Sequence, residues 1–351
     1  MRLIKRALFF LLALTLAISL FGCADEYPAV RSTRQEREAV FTVDGEYEVP
    51  YELYRFAFLN AMLAEGDVSK MTEDERAAAY AASDQAARKE IAYVYAVFSL
   101  CERYELDPYS KEIDTAVKEE LAESIEMEVG GFGDYETYLK ALKESYMNDS
   151  VFRFYLRFRL CEERLTRKMR SSGFVDEADE NVIAHFLGDE TVRATWIYIP
   201  YSSTAYENYT KEMLDELVQS AAAASDAAFV SMAQQQLQML YMPDELALGY
   251  YFGRYSNDPY YEVLTETAFS LSVGETSGLI HSGDGVYIVR RLAKDEAYVQ
   301  SEENVELLRE TYLLDHFYRV LEQERARLLT VIAEEKAYKE LSYADIKMDE
   351  S

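Results

Sequence analysis

Between Tyr51 and Lys168 apolar residues recur at spacings of three and four, as in Ile91, Val94, Tyr95, Val97, Phe98 and Cys101, and again in Val151, Phe154, Tyr155, Phe158 and Cys161. That period predicts helices almost throughout, each with one packed face. The breaks fall at Asp107-Pro108 and at Gly130-Gly131-Phe132-Gly133-Asp134, where Asp134 is the predicted N-cap. A later stripe, Val305, Leu308, Tyr312, Leu313, Phe317, Val320 and Leu321, predicts one long helix from Glu302 to Tyr338 that needs a partner surface. Between the two helical regions the pattern changes. Val192 to Ile199 and Leu248 to Phe252 are apolar runs of strand length, and Tyr260 to Leu271 is helix-compatible, with Val263, Leu264, Ala268 and Phe269. GETSGLI and GVYIVRRL are β-prone runs separated by His281-Ser282-Gly283-Asp284, the length and composition of a hairpin connection. Phe41 to Glu46 predicts a short strand and turn before the helices, and Ser172 to Glu177 ends the bundle ahead of a short helix leading to Thr191.

The amino terminus has a different logic. Arg2, Lys5 and Arg6 precede an uninterrupted apolar run, Ala7 to Phe21, which is shorter than the ~20 residues a bilayer-spanning helix needs. It reads as an export signal. The run ends in Leu20-Phe21-Gly22-Cys23, similar to the bacterial lipoprotein processing site, so the expected mature chain begins at a lipidated Cys23 anchored to the cell membrane, outside the cytoplasm. Ala24 to Val40 is polar and lacks an apolar stripe, which predicts a spacer.

Composition narrows the function classes. The chain has 351 residues, 49% of them apolar, enough for two or three cores. Its 64 acidic residues against 36 basic ones give a net charge of −28, which repels phosphate backbones and argues against a nucleic-acid partner. His185, His281 and His316 are scattered, and neither CxxC nor HExxH spacing occurs, so no metal is expected. Nor is there a GxSxG, a Walker A loop or a GxGxxG; no cofactor is expected, and the carboxylates read as solvated helix faces. Cys101 and Cys161 sit on apolar faces and read as buried thiols, with a disulfide as the alternative in an exported chain. Twenty-nine Tyr and seventeen Phe serve either as packing or as a surface for unfolded segments.

The segments L-G-Y-Y-F-G-R, A-F-S-L-S-V-G-E-T-S-G-L-I and G-V-Y-I-V-R-R-L, in that order, resemble the second half of a parvulin-type peptidyl-prolyl isomerase domain. Val192 to Ile199 fits the first strand of that family and Phe229 to Ala233 its F-x-x-[LM]-A helix, so the resemblance spans about Thr191 to Tyr298. Phe41 to Glu46 and the stretch VDEADENVIAHFLGDE are similar to the corresponding segments of the PrsA and SurA family of extracytoplasmic foldases. The resemblance implies an α+β protein: a helical SurA-N-like chaperone domain over 41–190, an inserted parvulin-like βαααβαββ-type domain over 191–298, and a C-terminal helix in 299–351 returning to the helical domain. It also implies a proline-binding cleft at Leu248, Tyr260, Leu264 and Phe269. The two histidines of the parvulin centre fall on Trp196 and Tyr287, so no catalytic residue is assigned and both positions are expected to line the cleft instead. The implied function is a membrane-tethered folding factor for unfolded or exported polypeptides, with weak or absent isomerase activity; the alternative is an active parvulin-type isomerase with a variant site.

Overall fold

The computed structural model describes residues 27–65, 68–127, 129–201, 206, 209–236, 249–255, 262–282 and 285–346. The export signal, Cys23, Leu248 and Tyr260 lie outside the described residues. The chain divides into two compact units, one made of residues up to Ser172 together with those from Leu321 onward, the other of Gly173–Val320. The second unit is therefore inserted in sequence between the two parts of the first.

The first unit opens with β1 (Ala39–Val43) and β2 (Tyr47–Pro50), followed by α1 (Tyr51–Glu65), α2 (Glu73–Arg103), α3 (Lys111–Glu126), α4 (Tyr135–Glu144) and α5 (Asp149–Ser171). Each start has a local cause. Thr72 and Glu75 form a capping box at α2, and the side chains of Ser110, Asp134 and Asn148 accept from backbone N–H groups in the first turns of α3, α4 and α5. Ile91, Val94, Val97, Phe98 and Cys101 are buried as the stripe on α2 predicts. On α5 the stripe is rotated. Phe154 and Phe158 are half-buried, and Phe152, Leu156 and Leu160 share the buried face with Val151, Tyr155 and Cys161. Cys101 and Cys161 are free thiols, and the Cys101 Sγ donates to the Cys161 carbonyl at 3.6 Å.

Three boundaries differ from those the sequence predicts. The stretch expected as a spacer up to Val40 is docked from Tyr27: the Tyr27 ring stacks on Tyr135 at 5.3 Å, and its carbonyl accepts from Arg153. Val30 N–H donates to Asp149, whose carboxylate is already fixed by Tyr138 and Arg153. The last long helix, α10 (Glu302–Leu329), stops short of Tyr338 because Thr330, Val331 and Ile332 are consecutive β-branched residues, which favour an extended backbone. They lead into β7 (Ile332–Glu334), which pairs antiparallel with β1 in a sheet of order β2-β1-β7. Finally, residues 173–190 and 299–320 belong to the second unit, not to the helical body. There Val182 and Phe186 of α6 (Asp179–Leu187) share a buried cluster with Val299, Val305, Leu308 and Tyr312.

The returning chain end is clasped as well as paired. The Arg88 guanidinium lies against the rings of both Phe41 and Tyr338, 4.5 Å and 4.7 Å from their centroids, and is bonded to Asp84 and Glu334. Asp84 also accepts from the hydroxyls of Tyr54, which is fully buried, and Tyr338.

The second unit continues from α6 into β3 (Thr191–Pro200), α7 (Lys211–Ala223), α8 (Asp226–Gln236), β4 (Tyr250–Gly253), α9 (Glu262–Ser270), β5 (Ile280–His281) and β6 (Gly285–Leu292). Its sheet has the order β4-β3-β6-β5, and every pairing is antiparallel. The expected hairpin forms, with His281 already in β5 and the Ser282 N–H donating to the Gly285 carbonyl. Within this unit a polar group is buried: Asp315 of α10 accepts the Tyr255 N–H at 2.9 Å, and its other oxygen lies 3.4 Å from His185 Nε2. The His185 ring stands edge-on to Tyr312 and beside His316, onto whose ring Arg319 bonds.

Two outcomes are expected. Asp84→Ala leaves the buried Tyr54 hydroxyl and the Arg88 cation short of a partner, a loss of about 2–4 kcal/mol in urea unfolding of the first unit. Ending the chain after Leu329, which removes β7 and Tyr338, should cost more. A change below about 0.5 kcal/mol from Asp84→Ala would show the clasp to be incidental. The second outcome concerns pH. Burial, with the His316 ring and the Arg319 and Lys294 cations nearby, lowers His185 to about 4, and burial with Arg319 lowers His316 to about 4. Both unfold to ordinary histidines that take up protons near 6.5, so the stability they contribute above that pH is lost as pH falls toward 4. Asp315 runs the other way. Burial raises it to about 6, so its contribution is present at low pH and lost as pH rises through that value. Between pH 7 and 5 two histidines outweigh one carboxyl, and acidification lowers the unit's Tm. Replacing both histidines (His185→Gln with His316→Gln) should reverse the sign of this contribution; a variant-minus-wild-type Tm difference constant over that range would exclude it.

Candidate functional site

The site is built on β3, the strand bonded to β4 on one side and β6 on the other. Side chains alternate along it, so Val192, Ala194, Trp196 and Tyr198 share one face while Arg193, Thr195, Ile197 and Ile199 share the other. Cross-strand register extends the first face. Ala194 is opposite Tyr250, Val192 opposite Phe252, Trp196 opposite Val289 and Tyr198 opposite Tyr287. Trp196 and Tyr287 are therefore diagonal neighbours on one face of the sheet.

The face is aromatic. Trp196 meets Tyr250 with ring centroids 4.8 Å apart and Phe252 at 5.9 Å, and Tyr198 stacks on Tyr287 at 4.6 Å with 22° between planes. Beyond the end of β3, Tyr201 meets the edge of Tyr206 and bonds to His281 Nδ1 at 2.9 Å. The chain enters β4 through Gly249, at φ +77°, where an added β-carbon would lie 2.9 Å from Leu292. No side chain fits there, and so the L-G-Y-Y-F motif carries its glycine at that position. On the opposite face Arg290, almost fully buried, donates to Asp226 at 2.7 Å and to Thr276 at 2.9 Å, which ties α8 to the sheet.

Of the predicted cleft residues, Trp196, Leu264 and Tyr287 are buried in one core cluster, and Phe269 is half-buried against it. The Arg254 guanidinium covers the Phe269 ring at 4.3 Å. Leu248 and Tyr260 belong to the same expectation but fall outside the described residues. Trp196, Leu264 and Tyr287 thus act first as packing, with only 8%, 1% and 8% of their surface accessible. The half-buried Tyr198, Tyr250 and Ile280 carry more of the accessible surface beside them. Sequence reading missed Tyr198 and Tyr250, although the signal was present: in W-I-Y-I-P, Trp196 and Tyr198 are two apart on a strand and must share a face.

Chemically, Trp196 and Tyr287 offer one indole N–H donor and one phenol. Neither is a general base at neutral pH, whereas both offer broad apolar faces. Among the described residues no three His, Cys, Asp or Glu side chains are placed to hold a metal ion, and no helix is long and apolar enough to cross a membrane.

No family model and no curated protein matches the chain. Among solved structures it is similar to the foldase protein PrsA from Streptococcus pneumoniae, with 17% identity over 72% of this chain and 86% of that one, at a TM-score of 0.29. It is also similar to PrsA from Bacillus subtilis, with 17% identity over 73% and 87% of the two chains and a TM-score of 0.25. A third likeness is to a SurA-like chaperone of Campylobacter jejuni, with 14% identity over 85% and 99% and a TM-score of 0.29. Likeness of this degree carries no argument about activity, partners or site.

Proposed function

We propose that the chain is an extracytoplasmic folding factor, tethered to the bacterial cell membrane through a lipidated Cys23. In this reading it holds unfolded or exported polypeptides on the aromatic face of its four-stranded sheet and has little or no prolyl isomerase activity. The observation that carries it is the diagonal pairing of Trp196 and Tyr287 on that face, at the two positions where the resembled family has histidines. An X-Pro bond rotates over a barrier of about 18–20 kcal/mol, and unaided turnover takes tens of seconds or more. An enzyme lowers that barrier by favouring the twisted imide over both planar forms, which calls for preorganised polar groups worth a few kcal/mol. The aromatic pair supplies packing in their place. Holding an unfolded segment needs only contact area, and tyrosine gives that area at low conformational-entropy cost.

The soluble form of the full mature chain, carrying Cys23→Ala, separates this reading from an active isomerase. It should suppress aggregation of a refolding client, and Tyr198→Ala with Tyr250→Ala should weaken client binding about 10-fold, on the order of 1.4 kcal/mol. In a protease-coupled proline assay its acceleration should fall about 100-fold or more below that of a parvulin. Isomerisation at a parvulin's rate would restore the alternative. In cells, Cys23→Ala should shift the protein out of the membrane fraction or leave it unprocessed; membrane retention with unchanged processing would exclude lipid anchoring.

A further inference from the structure

The second unit carries charge out of proportion to its length: between residues 173 and 320 the sequence has 25 acidic residues and 8 basic ones. Seven of the eight basic side chains are spent on internal partners. Arg193, Arg291 and Lys294 donate to the backbone carbonyls of Ala293, Leu271 and Gly188. Arg290 and Arg309 pair with Asp226 and Asp179, while Arg254 lies on the Phe269 ring and Arg319 bonds to His316. Lys211 is left exposed. The field this unit presents to solvent is therefore negative over most of its surface.

At low ionic strength that field reaches the aromatic face as well. The inner side of α7 places Leu214 in the core cluster that contains Trp196 and Tyr287, and its outer side exposes Glu212, Asp215 and Glu216. On α9, Leu264 and Ala268 enter the same cluster while Glu266 is exposed. Carboxylates thus stand on the solvent side of two helices whose apolar sides enter the unit's core.

Resting on the function proposed above, we infer that the polypeptides held at this face are cationic: unfolded segments in which Lys or Arg is interspersed with aromatic or aliphatic residues. The apolar side chains meet Tyr198, Tyr250 and Ile280. The cations meet tyrosine ring faces, which attract ammonium and guanidinium groups, within the negative field of the unit's carboxylates. Acidic segments are rejected by like charge, which gives the site a selection rule that apolar contact alone does not supply.

The test uses the full mature chain with Cys23→Ala and two unfolded peptides of identical aromatic and aliphatic content, one with lysines and the other with glutamates at the same positions. Binding is read by fluorescence anisotropy at about 10 mM and about 1 M salt, where the screening length falls from about 30 Å to about 3 Å. The lysine peptide should bind at least about 10-fold more tightly at low salt, and the gap should close at high salt. Neutralising α7 (Glu212→Gln, Asp215→Asn, Glu216→Gln) should shrink the low-salt gap while leaving affinity at high salt unchanged. Equal affinities at low salt, or a gap untouched by the α7 substitutions, would overturn the charge selection and leave the folding-factor reading standing. Failure of both peptides to bind at every salt concentration would remove both readings.

Discussion

The second unit depends on the two-sided pairing of β3. Because the pleat has a period of two, a slip of one residue against β6 would send Trp196 and Tyr198 to the face that packs α8 and bring Arg193 and Thr195 in their place. Several bonds hold the register. Ser277 donates its backbone N–H to the Val289 carbonyl and accepts the Val289 N–H on its hydroxyl, so β6 is fixed from its outer side as well. Arg290 locks the opposite face, and Gly249 sets the angle at which β4 arrives. The aromatic surface is thus a consequence of hydrogen-bond register before it is a consequence of residue type.

Two buried polar clusters, one in each unit, are satisfied to different degrees. Around Arg88, each charge has a partner and each ring a cation or another ring, a complete network of the kind that rigidifies a core. Asp315 is less fully met: it holds one backbone N–H, while the nearby His185 Nε2 makes no hydrogen bond. Its position also dictates its neighbour, since a β-carbon on Gly253 would lie 2.2 Å from the Asp315 carboxylate. Only a residue without one lets α10 approach the end of β4.

What could be read from the sequence follows from which signals are local. Helix faces, the Asp134 cap and the hairpin depend on neighbours a few residues away, and they are legible in Ile91 to Cys101, in the glycine cluster before Tyr135 and in the run from Ile280 to Leu292. Of the expected cleft positions, Trp196, Leu264 and Tyr287 join one packed cluster, with Phe269 against it. How deeply those positions are packed was not legible, because burial is decided by which helices cover the sheet. The β-branched run before β7 signals extended backbone, but its pairing with β1 is set by a strand far away in sequence. Asp315 interrupts an otherwise apolar stripe, and its role is set by Tyr255 and His185, far away in sequence.

Thr42 and Glu335 share a hydrogen bond although they are 293 positions apart. A chain made amino end first presents β1 long before β7 exists. At roughly 5–20 residues per second that interval is on the order of tens of seconds. Throughout it the outer edge of β1 offers unpaired backbone groups to any extended segment nearby, the hazard that open strand edges carry. The inserted unit is contiguous, so it can complete its own sheet while the first unit still waits for its last strand. The protein is thus, during its own biogenesis, a chain with an open edge, and Ile332–Glu334 are the residues that close it.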